Sequence, residues 1–91
     1  MYEVRLSATV EKQLRKLPVQ VRTKLLAWAR DVRVRGLEEV RKLPGFHDEP
    51  LSGSRKHQRS IRLNLHWRAI YEIHGEHVQI ALVVEVTPHS Y

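Results

Sequence analysis

The spacing of apolar residues predicts a strand at the start of the chain that leads directly into a helix. Residues 2–6 alternate between apolar and charged side chains, which is the two-residue period of a half-buried strand. Ser7 is a residue type that accepts a hydrogen bond from the free amides of a following helix. The apolar residues after it recur at the i, i+4, i+7 spacing of one helix face: Val10, Leu14 and Leu17.

A second helix is predicted after Pro18. Proline disfavours helical geometry in the residue before it and is itself well placed at the start of a helix. Gly36 is a suitable C-terminal cap. The apolar stripe of this helix consists of Val21, Leu25, Trp28, Ala29 and Val32. The two stripes together indicate a helical hairpin that packs on a sheet.

Residues 37–53 show no sustained periodicity beyond one short helical turn at 37–40. We interpret them as a connecting loop that Leu43, Phe46 and Leu51 pin to the core. Long loops within a compact domain often carry function.

Alternation returns after Arg59 and continues to Val86, with a tight turn at His74-Gly75-Glu76. Short connections between these segments indicate three strands in an antiparallel meander. We therefore expect one α+β domain over residues 1–91, with the order β-α-α-β-β-β. Its helical hairpin would pack on a small, mostly antiparallel sheet in two layers.

Composition excludes several classes of protein. The 91-residue chain contains no cysteine, which rules out a disulfide framework, a cysteine zinc site and a thiol nucleophile. No apolar run reaches the length of a membrane span, and the first residues lack the apolar stretch of a signal peptide. We expect a soluble cytoplasmic domain with no membrane association.

The chain carries 16 Lys and Arg residues against 10 Asp and Glu, a net charge of +6. This excess favours an acidic partner, either a nucleic acid or a protein. The densest basic segment lies between residues 52 and 68. Strand periodicity places Arg62 and Arg68 on the face opposite the apolar residues of their strands, where two guanidinium groups would form a phosphate site.

RNA cleavage without a metal requires a base for the 2′-hydroxyl, a cation for the charged phosphorane and an acid for the leaving oxygen. Glu49 or a lysine is a candidate base, Arg68 the cation and His89 the acid, while Tyr91 could stack on a nucleobase. The six histidines lack the spacing of a zinc-binding helix, so we expect no metal site and no cofactor.

The sequence resembles the RelE/ParE superfamily of small bacterial toxins, and within it the ribonuclease branch that includes the RelE, HigB and YoeB proteins. The segments that carry the resemblance are Glu49-Pro50-Leu51, Arg59-Ser60-Ile61-Arg62-Leu63, His66-Trp67-Arg68-Ala69-Ile70-Tyr71 and Val84-Glu85-Val86-Thr87-Pro88-His89-Ser90-Tyr91.

This resemblance implies a catalytic set and a reaction. Glu49 would be the base, Arg68 would stabilise the phosphate, His89 would be the acid and Tyr91 would contact the substrate. The reaction would be mRNA cleavage, usually on the ribosome, through a 2′,3′-cyclic phosphate. RNA-binding residues would be Arg55, Lys56, His57, Arg59 and Arg62. The base also has alternatives in Lys56, His47 and His57.

The same resemblance implies a cognate antitoxin that forms a hetero-oligomer with this chain, and mRNA and the 70S ribosome as further partners. Two alternatives remain open at this point. ParE-like members share the fold and inhibit DNA gyrase without cleaving RNA, and a basic binding module would perform no chemistry. The arginines of the predicted sheet and the terminal His89 and Tyr91 favour the nuclease.

Overall fold

Strands and helices follow one another largely as the apolar pattern predicts in the computed structural model, which describes residues 2–75 and 78–88. The strands are β1 (Tyr2–Leu6), β2 (Glu49–Pro50), β3 (Gln58–Arg62), β4 (Trp67–His74) and β5 (Gln79–Pro88). The α-helices are α1 (Ala8–Gln13), α2 (Val19–Arg35) and α3 (Leu37–Arg41). Single 3₁₀ turns occupy Leu14–Lys16, Pro44–Phe46 and Gly53–Arg55.

The five strands form one sheet in the order β1-β5-β4-β3-β2. β3, β4 and β5 are the predicted antiparallel meander, and β1 joins its far edge by pairing in parallel with β5. A helical layer packed on a mostly antiparallel sheet confirms the predicted α+β class.

The helical turn predicted at 37–40 is confirmed as α3. The expectation of a connecting loop over the rest of residues 37–53 is wrong at Glu49 and Pro50, which form the edge strand β2, paired with Ser60 and Arg59 of β3. A two-residue strand contains a single alternation, so no periodicity in the sequence could reveal it. This edge strand is what places Glu49 on the sheet.

The predicted start of the first helix at Ser7 and the predicted end of the second at Gly36 are confirmed, whereas α1 ends at Gln13 and a 3₁₀ turn occupies Leu14–Lys16 before Pro18. The Ser7 hydroxyl accepts a hydrogen bond from the Val10 amide at 3.2 Å. Gly36 ends α2 with φ of +86°, and a Cβ at this position would lie 2.6 Å from Cζ of Tyr2. Only glycine combines this backbone conformation with such a close approach of the Tyr2 ring.

One face of the sheet packs against the helices and forms the core. The predicted stripe of α2 is buried there, and the Trp28 and Tyr71 rings lie 5.0 Å apart between the two layers. The alternate residues of the strands form the opposite face, called here the open face. Its strand positions include Glu49, Ser60, Arg62, Arg68, Ile70, Glu72 and Glu85. Within residues 2–75 and 78–88 no helix is long and apolar enough to cross a membrane.

Candidate active site

A cleft of about 100 Å³ opens on the sheet where β3 turns into β4. It brings together Glu49 and Arg68, both predicted to be catalytic, and Arg62, predicted to bind RNA. His47, an alternative base, also lines it. The full lining is His47, Glu49, Ser60, Ile61, Arg62, Asn64, Leu65, Trp67 and Arg68.

Strand register explains why these side chains meet. Glu49 lies opposite Ser60, and Arg62 lies opposite Arg68. Residues opposite each other in an antiparallel pair point to the same face, as do residues two apart on one strand. Glu49, Arg62 and Arg68 therefore project together from three adjacent strands onto the open face, as strand periodicity predicts for the two arginines.

Apart from Glu49, the two arginines have no acidic neighbour among the described residues that line the cleft. Neither Arg62 nor Arg68 forms an ion pair there, although the two face each other across the strands. Nε of Arg68 is buried without a hydrogen-bond partner. Like charges at directly opposed positions destabilise a sheet, and a buried donor without a partner costs free energy. An anion such as a phosphate would relieve both costs.

The turn between β3 and β4 is held by a side chain that lines the cleft. Oδ1 of Asn64 accepts hydrogen bonds from the amides of His66 at 2.8 Å and Trp67 at 2.9 Å. An asparagine that bonds amides two and three residues on fixes a turn locally. The backbone of Trp67, another residue that lines the cleft, is thus fixed where β4 begins.

Asp48 separates the two cleft residues His47 and Glu49, and its carboxylate points into the protein. The side chain is 0 % exposed and accepts hydrogen bonds from Nε of Arg59 and from the Tyr71 hydroxyl, both at 2.6 Å. Sequence reasoning missed Asp48. The available signal was Arg59 itself, because a charged residue two positions before Ile61 falls on the apolar side of its strand.

Burial and charge shift the ionisation of both groups that hold Asp48. Burial, and next the hydrogen bond to Asp48, raise the pKa of Tyr71 to about 12, against an opposing effect of the nearby Arg41. Burial acts to lower the pKa of Arg59, but the hydrogen bond and charge of Asp48 outweigh it and the pKa rises. Tyr71 therefore stays a hydroxyl donor and Arg59 a cation.

The other residues predicted to bind RNA lie outside the cleft. The Arg55 guanidinium donates to Gln58 at 2.7 Å and to Glu85 at 2.8 Å, so it is already paired. Lys56 is exposed and does not line the cleft. Arg59 is paired with Asp48 on the core side of the sheet, so its guanidinium is separated from those of Arg62 and Arg68.

His57 lies in a second polar cluster, around Glu72 on the open face. Nε2 of His57 is 3.6 Å from one carboxylate oxygen of Glu72, and Nε2 of His74 is 2.9 Å from the other. Hydrogen bonds from Gln58 and then His74 lower the pKa of Glu72. This cluster does not line the cleft, so the structure separates His57 from Glu49 and His47.

His89 and Tyr91, predicted as acid and substrate contact, lie outside the described residues. The last described residues of β5, Thr87 and Pro88, pair with Arg68 and Trp67. β5 thus ends beside two residues of the cleft. Among residues 2–75 and 78–88, no three His, Asp or Glu side chains are grouped so that they could hold a metal ion.

No protein-family model matches this chain, and no curated protein matches it. Solved structures match it over nearly its whole length. A YoeB/ParE toxin from Agrobacterium tumefaciens is 16% identical, with 97% of this chain and 99% of that chain covered and a TM-score of 0.69. The toxin–antitoxin complex RelBE2 from Mycobacterium tuberculosis is 24% identical, with 97% and 98% covered and a TM-score of 0.69.

An archaeal RelE–RelB complex from Pyrococcus horikoshii OT3 is also 24% identical, with 96% of this chain and 93% of that chain covered and a TM-score of 0.69. This chain therefore has the fold of these RelE-like toxin structures, which is the fold that the resemblance of its sequence implies.

Proposed function

We propose that this protein is the toxin of a type II toxin–antitoxin system and a metal-independent endoribonuclease that cleaves mRNA. The observation that carries the proposal is the convergence of Glu49, Arg62 and Arg68 in one cleft, with the arginines free of any ion pair in the described ranges. A carboxylate beside two unpaired guanidinium groups supplies a proton acceptor and an anion site at one place.

In the proposed reaction Glu49 removes the proton from the ribose 2′-hydroxyl, and the 2′-oxygen attacks the adjacent phosphorus. Arg62 and Arg68 stabilise the negative charge that develops on the phosphorane oxygens. The bond between phosphorus and the 5′-oxygen then breaks, and His89 donates a proton to that leaving oxygen. The products are a 2′,3′-cyclic phosphate and a 5′-hydroxyl, and Tyr91 holds the substrate.

The geometry of the cleft narrows the choice of base. Of the four candidates, Glu49 and His47 line the cleft, whereas Lys56 and His57 do not. A base has to lie within hydrogen-bond reach of the proton that it removes. We assign the role to Glu49 because its strand register points it to the same face as both arginines.

The proposed partners are a cognate antitoxin, mRNA and the 70S ribosome, all in the cytoplasm. Two structures similar to this chain are described as toxin–antitoxin or RelE–RelB complexes. The net charge of +6 suits an acidic antitoxin segment as well as RNA. We expect the antitoxin to form a hetero-oligomer with this chain and to inhibit by covering the cleft.

The test is translation in a cell-free extract, with the message mapped by reverse transcription. Wild-type protein should produce discrete breaks in the mRNA, and Glu49→Gln and Arg68→Gln should each reduce the cleavage rate by about 100-fold or more. Glu39→Gln and Arg5→Gln are matched controls, because both side chains are exposed and lie outside the cleft. Intact mRNA together with loss of gyrase supercoiling would reject the nuclease in favour of a gyrase inhibitor.

A further inference from the structure

The edge strand that carries Glu49 has little backbone pairing of its own. β2 contains two residues, and Pro50 has no amide hydrogen to donate. Beyond β2, the Leu51 amide donates to the Gln58 carbonyl at 2.9 Å. Both β2 residues are exposed, so packing of their side chains adds little. Catalytic groups need placement to within about 0.5 Å, which such a short edge strand cannot supply alone.

The adjacent residue supplies an anchor. Successive residues of an extended chain point to opposite sides, so Asp48 enters the protein while Glu49 faces the cleft. The Asp48 carboxylate is held by Arg59 of β3 and Tyr71 of β4, one to each oxygen, at 2.6 Å. We call these three residues the Asp48 clamp. It ties the start of β2 to two neighbouring strands at once.

The Asp48 clamp also holds a residue in an unfavourable conformation. His47 has φ of 46° and ψ of 50°, the only positive φ of a non-glycine residue in the described part of the chain. The left-handed region costs an ordinary residue about 1–2 kcal/mol, and it persists only where the surroundings enforce it. His47 lines the cleft immediately before Asp48, so the clamp fixes both neighbours of the buried carboxylate.

The surroundings of the Asp48 clamp make it rigid. Tyr71 is fully buried and its ring packs 5.0 Å from that of Trp28. Arg59 lies directly opposite Tyr71 in the register of β3 and β4. Burying a charge pair contributes little net stability compared with apolar residues of the same volume. A buried ion pair at this place is therefore better explained by the geometry that it imposes on β2.

We infer that Asp48, Arg59 and Tyr71 are positioning residues that hold His47 and Glu49 in the cleft opposite Arg62 and Arg68. This inference rests on the proposed ribonuclease function for its kinetic consequence, but its structural consequence stands without it. The Asp48 clamp fixes the position of the Glu49 carboxylate relative to the 2′-hydroxyl, and it does not affect the positions of Arg62 and Arg68, which bind the anion.

The test uses Asp48→Asn and Tyr71→Phe in the full chain, two substitutions that keep side-chain volume. We expect kcat for RNA cleavage to fall at least tenfold, since small displacements of a reacting group cost large factors in rate. KM should stay within about twofold, because the contacts of Arg62 and Arg68 with phosphate persist. Tyr71→Phe keeps the ion pair, so it remains informative if Asp48→Asn does not fold.

A control separates positioning from lost stability. Val10→Ala removes two methyl groups from a fully buried side chain of α1, away from the cleft, and destabilises the protein as a core truncation does. At a temperature where all variants are folded by circular dichroism, Val10→Ala should keep the wild-type kcat. An equal loss of kcat in Val10→Ala and in the clamp variants would overturn the inference.

Amide hydrogen exchange tests the clamp without any activity. The Leu51 amide, bonded to Gln58, should exchange at least tenfold faster in Asp48→Asn and Tyr71→Phe than in wild type and in Val10→Ala. Unchanged Leu51 exchange in both clamp variants would overturn the inference. If wild-type protein cleaves no RNA, the proposed function fails, and faster Leu51 exchange would still support the anchoring of β2.

Discussion

Replacing Arg68 with glutamine should abolish cleavage without destabilising the protein. Arg68 faces Arg62 across the strands, and neither forms an ion pair among the described residues. The Cβ atoms of directly opposed strand residues lie about 4.5–5.5 Å apart, and two unit charges about 5 Å apart in a medium as polar as water repel by about 0.8 kcal/mol. Measured values for like charges at opposed strand positions run to about 1 kcal/mol. Glutamine keeps part of the aliphatic stem, so we expect the free energy of unfolding to rise by up to about 1 kcal/mol.

The same substitution on the other face of the sheet should have the opposite effect on stability. Arg59→Gln leaves the Asp48 carboxylate buried without its charged partner. Breaking a buried pair by removing one partner costs about 3–5 kcal/mol. Arg59 and Arg68 lie on adjacent strands of the same sheet, so this pair of variants contrasts a structural with a functional arginine.

Urea denaturation followed by tryptophan fluorescence measures both changes. A second experiment repeats the denaturation with inorganic phosphate. At a phosphate concentration ten times its dissociation constant, the free energy of unfolding of wild type should rise by about 1.4 kcal/mol, and that of Arg68→Gln should rise less. A loss of more than about 1 kcal/mol in Arg68→Gln, or equal stabilisation of both proteins by phosphate, would refute the assignment of Arg68 to an anion site.

Three further substitutions test other parts of the structure. Tyr71→Phe should lower the free energy of unfolding by about 2 kcal/mol, measured by urea denaturation, because it removes a hydrogen bond to the buried carboxylate of Asp48. Hydrogen bonds lower the pKa of Glu72 below its ordinary 4.5, so wild type should be more stable than Glu72→Gln above pH 4.5, and this difference in free energy of unfolding should vanish as the pH falls further. Urea denaturation of both proteins above and below pH 4.5 measures the difference, and a difference that does not change with pH would contradict the prediction. Gly36→Ala should lower the melting temperature by several degrees, because a Cβ would collide with the Tyr2 ring at a positive φ; an unchanged melting temperature would contradict this role of Gly36.

Local patterns in the sequence predict the elements with many residues in them. The stripe of α2 runs from Val21 to Val32 within a helix of 17 residues, and the alternation of β3, β4 and β5 extends over most of the last third of the chain. Because strand periodicity fixes which face each residue occupies, the shared face of Arg62 and Arg68 was also predictable.

Features that depend on distant parts of the chain could not be predicted in this way. The parallel pairing of β1 with β5 joins the two ends of the chain, and β2 is too short to show a period. The Arg55 guanidinium is paired with the carboxylate of Glu85, which lies thirty residues away in the sequence. Asp48 appears in the sequence as one polar loop residue, and its burial follows only from the partners that the fold brings to it.

The measurement that most directly tests the ribonuclease is the chemistry of the RNA ends in a cell-free translation reaction. We predict mRNA fragments that end in a 2′,3′-cyclic phosphate with wild-type protein, and at least about 100-fold fewer with Glu49→Gln or Arg68→Gln. Intact mRNA, or cleavage that persists at the wild-type rate in both variants, would contradict the assignment of the cleft as the catalytic site.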